Sequence, residues 1–257
     1  MDKLHDIIIL LPTYNEAGNL PQLISNLKVQ NLACSFLVVD DNSPDGTGNL
    51  AAELAKSDPT IEVLHRAGKL GLGTAHQYAM RYAIDKGYKI LLTMDVDFTH
   101  RPEDVQPLLD ALNKQQLDVV VGSRYVNSDS IDSWPIWRQF ISRSAYLSTR
   151  YLLGIPVDAT SAFRAYRIDA LSRVPFQDVK GDGYSFMFEM LMLCMQCGLK
   201  IDHVGVEMPC RNQGKSKISQ VEIFNGLRAL GKLTVQRIIK ALANLLSSPA
   251  KNKYDER

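Results

Sequence analysis

Neither sign of charge is in excess in this chain of 257 residues: 29 lysines and arginines face 28 aspartates and glutamates. The near-cancellation removes any global electrostatic case for nucleic acid or an acidic polymer, so charge must act locally. Cysteine is scarce, at four residues. Cys194 and Cys197 have C-x-x-C spacing, but no second pair or suitably spaced histidines accompany them, as a structural zinc site would need. Set in the apolar run Phe186 to Met195, they read as reduced thiols packed inside a helix. That run is the longest of its kind, and Glu189 interrupts it far short of a membrane span. Five apolar residues before Pro12, without a basic start, do not make a signal peptide. The expectation is a cytoplasmic protein. Nucleotide motifs of the common kinds fail too. Gly68, Gly71 and Gly73 lie far beyond the first strand, where dinucleotide-binding glycines belong, and Gly214-Lys215-Ser216 has Pro209 in place of a P-loop's first glycine.

What is present is an alternation of short apolar runs with helical patterns. Strands are expected at Ile7–Leu11, Phe36–Val39, Ile61–Leu64, Ile90–Met94 and Val119–Val121, with helices near Asn19–Lys28, Thr47–Lys56, Thr74–Asp85 and Pro102–Leu112. Continuous apolar strands separated by helices predict an α/β chain whose mainly parallel sheet is covered on both faces. Beyond residue 125 the pattern changes to a polar stretch, a Trp-containing turn, an amphipathic helix near Trp137–Leu153 and a strand-like segment at Phe163–Tyr166. We therefore expect residues 1–217 to form one catalytic domain, with a nucleotide half at 1–125 and an acceptor half at 126–217. An amphipathic helix at 218–246 and a disordered polar tail at 247–257 would follow.

Two acid clusters stand at strand ends. Asp40 and Asp41 close the second strand, and Asp95 and Asp97 follow the fourth. Ligands of an open α/β sheet bind outside the carboxyl ends of its strands, so both clusters point to one crevice. A D-x-D pair shares one face of an extended segment, which suits Mg²⁺ or Mn²⁺ held jointly with substrate phosphates. The competing reading is turn chemistry, since Asp is a common turn residue. Gly71 and Gly73 read as loop glycines that let the backbone approach a ligand closely. Arg138 and Ser142 are four apart on one helix face, where a guanidinium and a hydroxyl match a phosphate.

Further motifs accompany these: Leu11-Pro12-Thr13-Tyr14-Asn15-Glu16, Val39-Asp40-Asp41-Asn42-Ser43-Pro44-Asp45-Gly46-Thr47, Gly71-Leu72-Gly73, Asp95-Val96-Asp97, His100, Gly122-Ser123-Arg124-Tyr125, Trp137-Arg138, Phe163-Arg164 and Ser216-Lys217. In this order, across residues 6 to 217, the set resembles the dolichyl- or polyprenyl-phosphate mannosyltransferase branch of the inverting family 2 glycosyltransferases, which have the GT-A fold. The resemblance implies transfer of a hexose, with mannose from GDP-mannose the first choice, to dolichyl or polyprenyl phosphate. Another sugar nucleotide of the UDP-glucose type, or a hydroxyl acceptor served by Asp158 or Glu189 as base, is the alternative. It assigns the nucleotide to Pro12, Tyr14, Glu16, Val39, Asp40, Asp41, Gly71, Asp95, Arg211 and Lys217. Asp95, Asp97 and Thr99 are assigned to the metal, and Arg124, Arg138 and Ser142 to the acceptor phosphate. Asp97, Arg124, Arg138, Ser142 and Arg211 carry the chemistry in this assignment. The implied cofactor is Mg²⁺ or Mn²⁺, and no nucleic acid is involved.

The C-terminal pattern supplies a route to the membrane. At about 100° per residue, Ile223, Phe224, Leu227, Leu230, Val235, Ile238, Leu242 and Leu245 take one half of a helix. Glu222, Asn225, Lys232, Gln236, Arg237, Lys240 and Asn244 take the other. Such a helix can lie on a membrane surface, and the competing reading packs it on the protein's own core or on a membrane-embedded partner subunit; the resemblance favours membrane proximity, with a peripheral location at the cytoplasmic face.

Overall fold

The computed structural model describes residues 4–127, 130–209 and 220–247. Its strands are β1 (Ile7–Thr13), β2 (Cys34–Asp40), β3 (Ile61–His65), β4 (Ile90–Thr93), β5 (Val119–Ser123), β6 (Arg164–Arg167) and β7 (Ile201–Gly205). The helices are α1 (Leu20–Val29), α2 (Thr47–Ser57), α3 (Leu72–Asp85), α4 (Val105–Lys114), α5 (Ile136–Ser148), α6 (Ile168–Leu171), α7 (Tyr184–Gln196) and α8 (Gln220–Ser247).

One sheet of seven strands runs in the order β3-β2-β1-β4-β6-β5-β7. All pairings are parallel except those of β6, which lies antiparallel between β4 and β5. The continuous apolar strands follow from burial on two faces. Ile8 and Leu10 of β1 join one core, and their neighbours Ile9 and Leu11 join the other. Strand β2 divides in the same way, Leu37 and Val39 against Phe36 and Val38. Each such side chain, fully withdrawn from water, contributes about 1.5–3 kcal/mol. Truncating Leu10 to alanine would cost about 2–5 kcal/mol. The sequence pattern anticipates β1 to β5 and the helices between them; it does not anticipate β7. That strand is Ile-Asp-His-Val-Gly, half-exposed at the sheet edge.

Strand β6 also binds the two expected halves into one sheet. Its Arg164 is completely buried and donates to the carbonyls of Ala159, Ser161 and Met187 and to the Tyr166 hydroxyl. A buried guanidinium saturated by carbonyls pins the loop before β6 against α7. Helix α7 is largely buried, including Cys194, as expected; Cys197 corrects the sequence reading, because it lies just past the helix end and is exposed.

The two remaining helices differ from expectation. No residue of α5 is buried, and Ile136, Trp137, Phe140 and Ile141 are exposed on it. A π-helical turn, Thr149–Leu153, continues it to Gly154, whose positive φ ends the turn. Helix α8 packs through Ala229, Leu230 and Leu233. Leu230, expected on the apolar half of the helix, is thus on the protein side, as the core-packing reading has it. Arg237, expected on the solvent half, donates to the Leu152 carbonyl at 2.9 Å and fills the space beside Gly154. Phe224, Leu227, Val235, Ile238 and Leu242 are exposed. Ile223 and Leu245, with the polar positions Glu222, Lys240 and Asn244, have side chains outside the described set, as has the expected tail. No helix among the described residues is long and apolar enough to cross a membrane.

Candidate active site

The ends of β1, β2 and β4 open into one cavity with the turns after β5 and before α7. Pro12, Tyr14, Glu16, Val39, Asp41 and Gly71 line it, together with Asp95, Asp97, Thr99, Arg124 and Arg138. Residues expected from three separate strand ends therefore meet. Arg211 and Lys217 lie outside the described residues.

Asp40 is the clear correction. It is buried, and its carboxylate accepts from the Thr13 hydroxyl at 3.0 Å, the Ser43 amide at 3.1 Å and the Ser43 hydroxyl at 2.5 Å. Asp45 likewise accepts from Thr47 and from the Ala17 amide. These two acids hold the turn between β2 and α2, the Asx chemistry that competes with ligand binding at such positions. Asp41 alone of the first cluster reaches the cavity. Its Oδ1 is 2.6 Å from Arg66 Nε, and its Oδ2 accepts the Gly71 amide at 3.3 Å. Burial raises the Asp41 pKa, and Arg66 opposes the shift. Arg66 also donates to the Gly71 carbonyl and the Thr74 hydroxyl, so the pair fixes the start of α3 to the end of β2.

The glycines of that start also admit a close neighbour from within the protein. Gly71 has φ +93°, and a Cβ there would lie 2.3 Å from Asp182 Oδ2. Asp182 accepts the Gly73 amide at 2.9 Å. The close approach is therefore made by an aspartate from the turn before α7, at a helix N-terminus that favours a negative partner. Asp182 and its neighbour Tyr184 line the cavity, as does Lys69, whose ammonium stands 4.7 Å from the Tyr14 ring centre. Sequence reasoning missed all three as site residues. Asp182 and Tyr184 come from more than 100 positions beyond the glycines they face, so no local spacing reveals them.

Asp95 and Asp97 leave β4 toward the cavity. Asp97 Oδ1 accepts both the amide and the hydroxyl of Thr99, at 3.1 and 2.6 Å. Thr99 thus orients the carboxylate. His100 Nδ1 accepts the Asp95 amide at 2.8 Å, which places its proton on Nε2, 4.0 Å from Asp95 Oδ2. The imidazole lies 5.0 Å from the Phe163 ring and is kept neutral chiefly by burial. Two carboxylates on one face suit a hard divalent cation that takes its remaining oxygens from substrate and water. Among the described residues no cluster of three His, Cys, Asp or Glu side chains forms a protein-only cage.

The second anion-binding group stands after β5. Burial works against the Arg124 charge, but the Asp158 carboxylate and, to a smaller extent, Tyr125 and Tyr184 together outweigh it and raise the pKa. Arg124 Nε donates to Asp158 Oδ2 at 2.8 Å, and Asp158 is fully buried. Asp158 also accepts from Thr160. Ser142 does not line the cavity directly; its hydroxyl is 2.5 Å from the Tyr125 hydroxyl and 3.5 Å from Arg124 Nη1. Burial pushes the Tyr125 hydroxyl up to about 12, so it keeps its proton at neutral pH. Arg138 lies over the Trp134 ring at 3.8 Å, and the Arg124 guanidinium is 5.7 Å from the same ring. Glu189 accepts the Gly181 amide and does not line the cavity.

Comparison with known proteins identifies the family and the fold. Residues 8–174 match the family model described as glycosyl transferase family 2. The chain is 37% identical over 214 residues to the polyprenol monophosphomannose synthase of Mycolicibacterium smegmatis, covering 82% of this chain and 80% of that one. It is also 37% identical over 214 residues to the undecaprenyl-phosphate mannosyltransferase of Micrococcus luteus, covering 83% and 87%. Among solved structures, glucosyl-3-phosphoglycerate synthase from Mycobacterium tuberculosis, in complex with Mg²⁺ and uridine diphosphate, superposes with TM-score 0.61 at 18% identity over 88% of this chain and 79% of that one. A mannosyltransferase from Pyrobaculum calidifontis, in complex with GDP-Man and Mn²⁺, gives 0.53 at 17% over 95% and 76%. At these identities the structures speak for the fold alone.

Proposed function

We propose, from the premise that this chain belongs to glycosyl transferase family 2 and has its GT-A fold, that it transfers mannose from GDP-mannose to a polyprenyl phosphate with inversion. The observation that carries this reading is the shared cavity: Asp95 and Asp97 line it together with Arg124 and Arg138. An acid pair for a metal–diphosphate and an arginine pair for a second phosphate suit a donor and an acceptor that are both phosphorylated. The 37% identical relatives named for polyprenol and undecaprenyl phosphate support the same acceptor class.

A divalent cation, Mg²⁺ or Mn²⁺, would neutralise the leaving diphosphate when bound. In this reading Asp97, oriented by Thr99, and Asp95, held at its backbone by His100, supply the protein oxygens. Tyr14, Glu16 and Asp41 face the nucleoside. Arg138, Arg124 and the Ser142–Tyr125 hydroxyl pair orient the acceptor phosphate for in-line attack on the anomeric carbon. A phosphate monoester has its second pKa at about 6 and is ionised at neutral pH, so the attacking oxygen needs no protein base. Asp158 is spent on Arg124 and Glu189 on Gly181, which weighs against a hydroxyl acceptor.

The exposed apolar residues of α5 and α8 belong to the same reading. Helix α5 carries Arg138 and Ser142 and also presents Ile136, Trp137, Phe140 and Ile141 to the exterior. A lipid whose phosphate reaches Arg138 can leave its chain along that surface, with the protein peripheral to a bilayer or docked on a membrane-embedded subunit. The test is incubation of the full chain with labelled GDP-mannose, UDP-glucose and UDP-galactose, each with polyprenyl phosphate and with the corresponding alcohol. Labelled lipid formed only from GDP-mannose and the phosphate is the expected result. Product from the alcohol would overturn the acceptor assignment, and product from a uridine donor the sugar assignment.

A further inference from the structure

Trp134 lies just before α5 and is absent from every role described so far. It is nearly buried, and three contacts converge on it. Its indole Nε1 donates to the Met208 carbonyl at 2.8 Å. The Arg138 guanidinium lies 3.8 Å from the ring centre and that of Arg124 lies 5.7 Å away. Its own amide donates to Ile131, and the Met208 amide donates to Ser130 at 3.2 Å, so the chain leaving β7 is tied on both sides of the indole. The ring plane is thereby fixed by backbone groups of two separate segments.

Two guanidiniums near one another repel, and each has several rotatable bonds. Arg124 is fixed by the buried Asp158 carboxylate; at Arg138 the indole face makes the closest cation–π contact among the described residues. A cation above an indole face is attracted by the ring quadrupole, most strongly when water is excluded. A planar guanidinium stacked on a ring keeps its in-plane N–H groups at its edges, clear of the ring face, and Arg138 lines the cavity. We propose that Trp134 is a positioning residue for the acceptor phosphate: anchored by the Met208 carbonyl, it holds Arg138 flat and pre-aimed beside Arg124. This rests on the assignment of Arg138 to that phosphate. Trp134 also lines the cavity, and in this proposal it acts through Arg138.

The measurement is steady-state kinetics of the full chain with GDP-mannose and a short polyprenyl phosphate, with donor affinity measured separately by calorimetry. Trp134→Leu removes the ring face and should raise the acceptor KM on the order of tenfold. The kcat at saturating acceptor and the GDP-mannose affinity should stay within about twofold. Trp134→Phe retains a face and loses the indole donor, so it should restore most of the acceptor KM. The decisive arm is a double-variant cycle: Trp134→Leu combined with Arg138→Ala should be no worse for acceptor KM than Arg138→Ala alone, since both remove one interaction. Additive losses, or equal weakening of donor and acceptor, would overturn the proposal and leave Trp134 a packing residue. If Trp134→Leu does not fold, Arg138→Lys gives the same test. A lysine keeps the charge without the flat stack, so an acceptor KM unchanged from wild type would refute the role of the stack. An Arg138→Ala variant with normal acceptor KM would instead refute the acceptor-site assignment itself.

Discussion

The wall of the cavity built from β1, β2 and β4 and the face built from α5 and α8 are made by opposite means. On the first, the acids are oriented by contacts within the protein: Thr99 on Asp97, Arg66 and the Gly71 amide on Asp41, His100 on the Asp95 backbone. On the second, α5 buries no residue, and its polar groups are organised by aromatic rings, Trp134 under Arg138 and Tyr125 against Ser142. The difference follows from the two substrates assigned to them. A nucleotide arrives from water with its charges fixed in place, and a wall of preset acceptors meets it without reorganisation. A lipid phosphate arrives attached to an interface, so its site must stand on an element whose outer surface can be apolar.

The largest expected effect breaks the first wall. Asp97→Asn should lower turnover on the order of a hundredfold or more, by removing a charge that a metal and diphosphate require. The melting temperature should hardly change, since the substitution opens no cavity; near-normal turnover with Mg²⁺ and Mn²⁺ would remove Asp97 from that role. Next, on the other face, Arg138→Ala should raise the acceptor KM about 10- to 100-fold, as expected for a charged hydrogen bond. Calorimetric affinity for GDP-mannose should be retained, and an equal loss there would erase the distinction between the two regions.

A third variant addresses the outer surface of that face. Replacing Phe224, Leu227 and Ile238 together by serine should abolish sedimentation with anionic liposomes. Because all three are exposed, stability should shift by no more than about 0.5 kcal/mol at each position. Substitution is the cleaner test than deleting α8, because Ala229, Leu230 and Leu233 of that helix close part of the core. Unchanged sedimentation would move the membrane contact elsewhere.

The smallest effect at neutral pH concerns His76, on the buried side of α3. Neither ring nitrogen finds a partner among the described residues, and burial holds its pKa down to about 3. A histidine whose folded pKa is depressed below the unfolded value of about 6.5 destabilises the fold as protons bind the unfolded chain. Its neutral form costs nothing in this respect above pH 6.5, and stability falls by up to about 1.4 kcal/mol per pH unit between 6.5 and 3. His76→Phe should flatten that acid slope, read from urea midpoints at pH 7 and pH 4.5. An unchanged slope would mean that the ring is not held neutral.

How much of this was legible in the sequence depends on range. Strands β1 to β5 and the helices between them were legible because two-sided burial writes itself as unbroken apolar runs. The place of the D-x-D pair in the cavity was legible because strand ends point to a crevice, whereas Arg124 entered through the family resemblance alone. Asp40 looked like its neighbour Asp41 because the outcome turns on which carboxylate Ser43 and Thr13 capture, a matter of turn geometry. Asp182 was not legible as a site residue because it meets Gly73 across a fold that local spacing cannot anticipate, and Trp134, only four positions from Arg138, was missed because its anchor on the Met208 carbonyl is equally remote. The division of α8 failed in detail because an amphipathic pattern gives the width of an apolar stripe and not which edge the protein will claim.

Strand β6 has a consequence for the order in which the molecule is made. Residues up to 125 contain five strands, but β5 hydrogen-bonds only to β6 and β7. During synthesis the first four strands can therefore assemble as β3-β2-β1-β4, while β5 waits, unpaired, until residues 164–167 arrive to bridge it to β4. The closing pairs join residues 43 to 77 positions apart, a loop closure whose entropic cost falls late. A fragment ending at residue 125 would carry an orphan strand and an open edge at β4, a template for association with other chains. The cavity's two halves are thus separate in chemistry and inseparable in folding.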